Sequence, residues 1–455
     1  MKASKLNKSG LNRLERRSIS ALATVYGLRM FGLFLILPVL AIYAKELGNA
    51  TPVMMGLALG IYGVTQAIFQ IPFGMMSDKF GRKPVILAGL GIFIIGSLVA
   101  AFSSTIEGVI LGRALQGAGA IAAAVLALTS DLTRENQRTK AMALIGMTIG
   151  LAFLLALIAA PWLASFIGVS GLFILTAILA VGSMVLIVKV VPTPVQKRNL
   201  EVKAVPSQML GLLKNPQLIR LDAGIFILHF VLTAMFVVVP IMMLEIGLDT
   251  RDHWQVYVPA LLSSIVFMVP MIILSSRKKL LMHVFLAAVC ILLFAQLLLM
   301  RNPASTMALT VCLFFFFWGF NLLEAMLPSM VSRVAPAASK GSAMGVYNTF
   351  QFLGVFLGGF VGGVIYGKFG VSYVFIACAI ALAVWSYLIY SAPTLRLLDS
   401  LVVNIELQEG VDFQSQLEAV AGVEEVIIIE GESTAYLKVD NDILDHAALA
   451  AIIIE

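Results

Sequence analysis

Six ionisable side chains lie within long apolar stretches of this 455-residue sequence: Arg29, Arg113, Asp131, Asp222, His229 and Glu324. An ionised group in hydrocarbon costs ~2.5–3.5 kcal/mol on insertion scales, so each is a candidate for function by default. A carboxyl and an imidazole are the side chains best able to exchange a proton near neutral pH where water is scarce. Glu324 and His229 are therefore candidates for a proton site, the alternative for His229 being a satisfied core residue. Arg29 reads either as a counter-ion or as an anion-binding group. Asp222, near the start of its span, reads as a charge complementing a helix N-terminus. The aromatic run 314–318, with Gln66, Gln70, Asn321, Asn348 and Gln351 on other spans, could line an apolar cavity carrying few hydrogen-bond groups. Such a cavity suits a large apolar or amphiphilic molecule; the alternative is that the aromatics face lipid or neighbouring helices.

The elements that carry these residues follow from composition. The chain is 60% hydrophobic and 12% charged, where charged residues of soluble domains approach ~25%. The expected fold is an all-α polytopic membrane protein with twelve spans, near 19–44, 53–76, 85–104, 107–130, 141–163, 170–191, 217–246, 254–276, 280–300, 305–332, 341–366 and 371–391. Lys and Arg gather in alternate loops, at Lys79/Arg82/Lys83, Arg134/Arg138/Lys140, Lys197/Arg198/Lys203/Lys214, Arg277/Lys278/Lys279 and Arg333/Lys340. By the positive-inside rule these loops and both termini are cytoplasmic, as in a multi-pass protein of the cell inner (plasma) membrane. The basic leader before residue 19 opens an apolar stretch too long for a signal-peptide core, so it reads as a retained first helix. Cys290, Cys312 and Cys378 have no paired spacing, no cluster of metal ligands or nucleophile constellation appears, and neither an enzyme nor a cofactor or metal site is expected. The net charge of +6 divides into −11 for residues 401–455 and +17 for the rest. Basic loops account for the excess, and no nucleic-acid partner is implied.

Between the second and third apolar stretches runs Gly74-Met-Met-Ser-Asp-Lys-Phe-Gly-Arg-Lys-Pro-Val-Ile86. Gly81 supplies a tight turn, Pro84 suits a first helical turn, and Gly74 lets another helix approach. Spacing alone is compatible with a basic loop that only fixes topology. The thirteen positions resemble the cytoplasmic loop motif of the major facilitator superfamily. That resemblance implies that Asp78 and Asp131 bracket Arg82 in a charge-relay cluster with Gly81 and Lys83. It also implies that Asp78 faces the start of span eleven near Gly341, latching the two halves when the cytoplasmic side is closed. Leu111-Gly-Arg-Ala-Leu-Gln-Gly-Ala-Gly is similar to the family's second motif, whose arginine, here Arg113, is associated with proton coupling; the alternative is a structural pin to nearby carbonyls. Span five departs from the antiporter pattern, with Ala156 and Ala160-Pro161 where glycines are usual and Gly146 and Gly150 upstream. Span eleven is richer in glycine, at 354, 358, 359, 362 and 363.

Leu37-Pro-Val39 recurs as Val239-Pro-Ile241, and Lys140 with Gly146 as Lys340 with Gly345. These repeats divide the chain into halves at 1–192 and 217–392 around a cytoplasmic linker at 193–216. Substrate is then expected between the halves, with alternating access by rocking. Beyond residue 391 alternating and helical patterns read β-α-β-β-α over 401–455, resembling a small ferredoxin-like α+β module of the heavy-metal-associated kind. The loop 408–413, Gln-Glu-Gly-Val-Asp-Phe, lacks the Cys-x-x-Cys of those modules. The acidic module is expected to dock on the basic loops and regulate, the alternative being a free tether. The expected function is proton-coupled transport, exporting a small molecule, with lipids, protons and substrate as partners and a monomer or weak oligomer as the assembly. A second reading is a transport-dead sensor or scaffold that signals through the module.

Overall fold

The computed structural model describes residues 11–47, 50–193, 211–275, 278–336, 339–391, 395, 397–404, 413–428, 434–441 and 443–452. Several features anticipated above lie outside them: most of the 193–216 linker, the first ten residues, Arg277 and the loop 408–412; so does Gly431-Glu-Ser433, which reads in sequence as a turn between strands.

Helix α1, Arg13–Ile36, starts at a capping box in which Asn12 and Glu15 satisfy each other's backbone N–H groups. It breaks at Leu37–Val39 before the short α2, Leu40–Glu46. In α3, Pro52–Phe80, the Thr51 hydroxyl accepts from the Met54 N–H and Pro52 takes a position whose missing donor costs nothing. Gly81, at φ 94°, alone separates α3 from α4, Arg82–Phe102. A side chain would resist that backbone. Span four is two helices, α5 (Ile106–Ala118) and α6 (Ala122–Asp131), interrupted at Gly119–Ile121. Helix α7, Glu135–Lys189, contains one non-helical residue, Gly168, at φ 66° and ψ 173°. Trp162 and Phe166 pack edge-to-face beside that turn with ring centres 5.0 Å apart. Then follow α8 (Pro216–Glu245), a 3-10 turn at Thr250–Asp252, α9 (Trp254–Ser275), α10 (Lys278–Leu299), α11 (Thr306–Val334), α12 (Lys340–Phe369) and α13 (Val371–Ser391).

Among the described residues eleven helices are long and apolar enough to cross a membrane. The difference from twelve arises because the expected spans 141–163 and 170–191 run into one helix through Gly168. Its apolar part, Lys140–Lys189, has 50 residues and would measure ~75 Å if straight, more than twice a hydrocarbon core. Large apolar side chains such as Ile68, Phe102, Ile178 and Val266 are at least 60% exposed, the inverse of a soluble surface. The chain is a multi-pass membrane protein.

The terminal module has β1 (Asp399–Asn404), α14 (Phe413–Glu418), β2 (Val423–Ile428), β3 (Thr434–Val439) and α15 (His446–Ile452), in the β-α-β-β-α order expected. The sheet runs β1-β3-β2, antiparallel throughout, with Leu437 facing Leu401 and Val426 on its two sides. Leu417, Val420, Val426, Leu437 and Leu449 form its core. The sequence pattern reads the closing helix as 441–453; it begins at His446 because Asp445 caps it, accepting from the N–H groups of Ala447 and Ala448. By compactness the chain forms two units. One comprises Met1–Arg198, Phe226–Leu323 and Thr349–Tyr390; the other comprises Asn199–Ile225, Glu324–Asn348 and Ser391–Glu455.

Candidate functional site

The interruption of span four organises the first unit. Breaking a helix frees backbone carbonyls that hydrocarbon cannot satisfy, and Arg29 supplies a donor: its Nη2 gives a hydrogen bond of 2.9 Å to the Gly119 carbonyl. The same nitrogen reaches Gln66 Oε1 at 3.0 Å and the Tyr62 hydroxyl at 3.3 Å. Arg29 is 1% exposed, its guanidinium lying 5.4 Å from the centre of the Phe93 ring. Arg113, 3% exposed, donates to the Ala58 carbonyl at 3.3 Å and to Gln116 Oε1 at 2.9 Å; Gln116 in turn donates to Ser97. The Tyr62 ring lies under the Arg113 guanidinium at 5.2 Å. Two buried cations thus share one tyrosine, and among the described residues neither is paired with a carboxylate. Sequence reasoning singled out both arginines but missed Tyr62, an unremarkable aromatic in an apolar helix. Gln70, one turn beyond Gln66, is 3% exposed.

His229, in α8, is hydrogen-bonded to Gln351 of α12 at 2.8 Å and packs edge-on against Phe320 of α11 at 5.8 Å. From Phe320 a chain of ring contacts continues to Phe153 of α7 at 6.3 Å and to Phe34 of α1 at 5.1 Å. The 314–318 run is largely engaged with neighbouring helices: Phe314 and Trp318 against Phe267, Phe315 against Phe294, Phe317 against Phe153. Asn321 donates to Ser264 at 3.1 Å. Glu324 belongs to the second unit, where it and Asp222 both act electrostatically on Tyr347. Asp222 lies beyond the first turn of α8 and is 2% exposed. It is a buried acid rather than the helix-end charge expected. Asn348 is half-buried in the same unit.

At the turn between α3 and α4, Arg82 is bracketed as the resemblance implied. Nε donates to Asp131 at 3.0 Å, and Nη1 to the Ser77 hydroxyl at 2.8 Å and to Asp78. The Asp78 side chain is 52% exposed, and exposed pairs contribute only ~0–1 kcal/mol each, so the cluster is cheap to rearrange. Lys83 is half-buried beside it. A Cβ on Gly74 would sit 3.6 Å from Ala123, an ordinary contact, so the close approach expected there is absent. Gly146 and Gly150 of span five likewise face open space. Close approach occurs instead between the first half of α3 and the second half of α12. A Cβ on Gly60 would lie 2.6 Å from the Phe356 carbonyl oxygen, and one on Gly363 would lie 2.5 Å from that of Pro52. Gly354 and Gly358 meet the backbone of Phe226 and Phe230 on α8 in the same manner. Among the described residues no group of His, Cys, Asp and Glu is arranged to hold a metal.

A sequence profile described as Major Facilitator Superfamily matches residues 22–359. The chain belongs to that family. It is 42% identical over 435 residues to the inner membrane transport protein YajR of Escherichia coli (strain K12), an alignment covering 95% of this chain and 96% of that protein. The class B tetracycline resistance protein of Escherichia coli is 38% identical over 143 residues, covering 30% of this chain and 34% of its own length. Among solved structures, a bacterial homologue of the human lysosomal transporter Spinster superposes with a TM-score of 0.69 at 12% identity, over 84% of this chain and 97% of that one, a likeness of fold alone. The chain is thus a facilitator-superfamily transporter.

Proposed function

We propose that this transporter couples export of a small apolar or amphiphilic molecule to proton movement by alternating access in a cell inner membrane, across twelve spans in two halves with both termini cytoplasmic. The carrying observation is Arg113: a membrane-buried cation with hydrogen bonds but no carboxylate partner among the described residues is retained at a cost of ~2.5–3.5 kcal/mol. Arg113, Glu324 and His229 are the residues we assign to coupling, and Arg29, Gln66, Gln70, Asn321, Asn348 and Gln351 those we assign to substrate. The non-helical Gly168 supports counting α7 as two spans. Export accords with the partial match to a tetracycline resistance protein.

The positive-inside rule puts the beginning of α3 and the end of α12 at the outer surface, so their backbone contact makes this an outward-closed state. Gly74, Asp78, Gly81, Arg82, Lys83 and Asp131 form the switch on the opposite side. Glu324→Gln is expected to abolish substrate-induced proton movement while leaving the fold intact. Everted vesicles energised to be acid inside, read with a pH-sensitive dye after adding tetracycline or a panel of amphiphilic compounds, test this; parent-like proton release in the variant would remove Glu324 from the mechanism. Asp78→Asn is expected to change stability by no more than ~1 kcal/mol yet to raise labelling of cavity cysteines from the cytoplasmic side. Equal labelling rates would reduce the turn to a topology signal.

A further inference from the structure

The last four carbonyls of a helix have no partner within it and form the negative end of its dipole. At the end of α11 the Val331 carbonyl accepts from the Ala335 N–H. The next two accept from the terminal module: Lys438 Nζ donates to the Ser332 carbonyl at 2.9 Å and to the Arg333 carbonyl at 3.1 Å, and the Leu398 N–H donates to the latter at 3.3 Å. Arg333 Nη2 pairs with Asp399 at 3.1 Å, and Asn441 holds that carboxylate from within the module at 2.6 Å. Lys438 is 1% exposed on the central strand β3. Burial, helped by the charges of Lys340 and Arg333 and opposed by Glu425 and Asp399, pushes its ammonium down to about 8, so the charged form is present at neutral pH.

The Lys438 ammonium lies on the strand face away from the module's core, with Glu425 opposite it on β2. Its donors are spent on another element's helix end. We propose that the module is a removable clamp on the end of α11, with Lys438 as the group that closes it. Docked, it completes the helix end and holds Arg333 through Asp399; released, it leaves the Ser332 and Arg333 carbonyls to water and frees the terminal turn. Glu324 lies nine residues back on the same helix, ~13.5 Å along its axis, so the clamp bears on the span proposed to move protons; that consequence rests on the transport reading, the clamp itself does not. The docking expected from the sequence, acidic residues on exposed basic loops, would weaken with salt. A water-excluded contact is screened far less.

The full chain in lipid nanodiscs, with its three cysteines replaced, tests this with spin labels at Ser329 and Ile443 and with hydrogen exchange at the amides of 332–335. The parent is expected to give one narrow distance that persists at 1 M salt (roughly a 3 Å screening length). Lys438→Met is expected to broaden the distance and accelerate exchange at least ~10-fold, as losing charge-assisted hydrogen bonds implies; independently, Arg333→Ala, which leaves the module's own residues intact, is expected to shift both in the same direction by up to ~5-fold, since its pair with Asp399 is partly exposed. Parent-like distance and exchange in both variants, or a parent distance that broadens in salt, would overturn the clamp. Proton release in the vesicle assay supplies a separate arm: a competent parent with unaltered rates in an undocked variant would overturn control of transport by the clamp. A parent inactive with every compound would count against the transport reading, while the distance and exchange results still decide the clamp.

Discussion

Gly56→Leu is expected to wedge apart the first half of α3 and the second half of α12 and so to populate the opposite, outward-open state. A Cβ there would collide with the Gly359 carbonyl and lie 2.9 Å from the Gly363 Cα. The obstacles are backbone atoms, which no rotamer change can move aside. Gly60 and Gly359 repeat the arrangement: a Cβ on Gly60 would lie 3.0 Å from the Phe356 Cα, and one on Gly359 would lie 2.9 Å from the Gly60 nitrogen. Relief therefore requires the helices to separate along the whole contact. Overpacking costs ~1–3 kcal/mol, which on a two-state equilibrium is a shift of roughly 5- to 150-fold. Reactivity of a cysteine at Val355 towards an impermeant maleimide added outside should rise by a factor in that range. A rate equal to the parent's would mean that the glycine contact does not seal the outer side.

Glu15→Ala is expected to be the most destabilising single change at the start of α1. The Glu15 carboxylate, 2% exposed, accepts four hydrogen bonds: from the Asn12 N–H at 2.8 Å, and from the Arg134 N–H, Nε and Nη2 at 2.9, 2.8 and 2.9 Å. It joins the first helix to the start of α7. Truncation removes the reciprocal half of the capping box, and a lost helix cap typically costs ~1 kcal/mol; the Arg134 side chain, 41% exposed, rehydrates. Glu15→Gln keeps part of the network and should fall between. Thermal unfolding of the purified protein followed by tryptophan fluorescence measures both, and a parent-like midpoint for Glu15→Ala would remove the residue from the stabilising framework.

Glu15 also shows where sequence reading stopped short. It lies among Arg13, Arg16 and Arg17, and a basic leader draws attention to its cations; yet Asn12 and Glu15 stand at capping-box spacing, a signal that was there to be used. Charges inside apolar spans were legible one by one, because hydrocarbon makes each expensive. Their partners were not, since Tyr62 and Tyr347 look like any other aromatic in an apolar helix. The bracketing of Arg82 by Asp78 and Asp131 could be anticipated from a motif, whereas the close contact of α3 and α12 at glycines, and its absence at Gly74, depends on which state the molecule occupies. Lys438 was visible as the single base in an acidic module. Its burial against a helix end is a tertiary fact that alternation along a strand cannot express.

The turn at Gly168 has a consequence for the bilayer itself. It joins the arms of α7 without a polar loop, leaving Trp162, Phe166 and Ile167 46–61% exposed and the Arg251 guanidinium 5.7 Å from the Phe166 ring. Indole and guanidinium groups favour the level of the lipid headgroups, so Trp162 and Arg251 would hold this corner near that level. A thinner or thicker bilayer would then be met by tilting the arms about that point, at fractions of a kcal/mol per Å of mismatch.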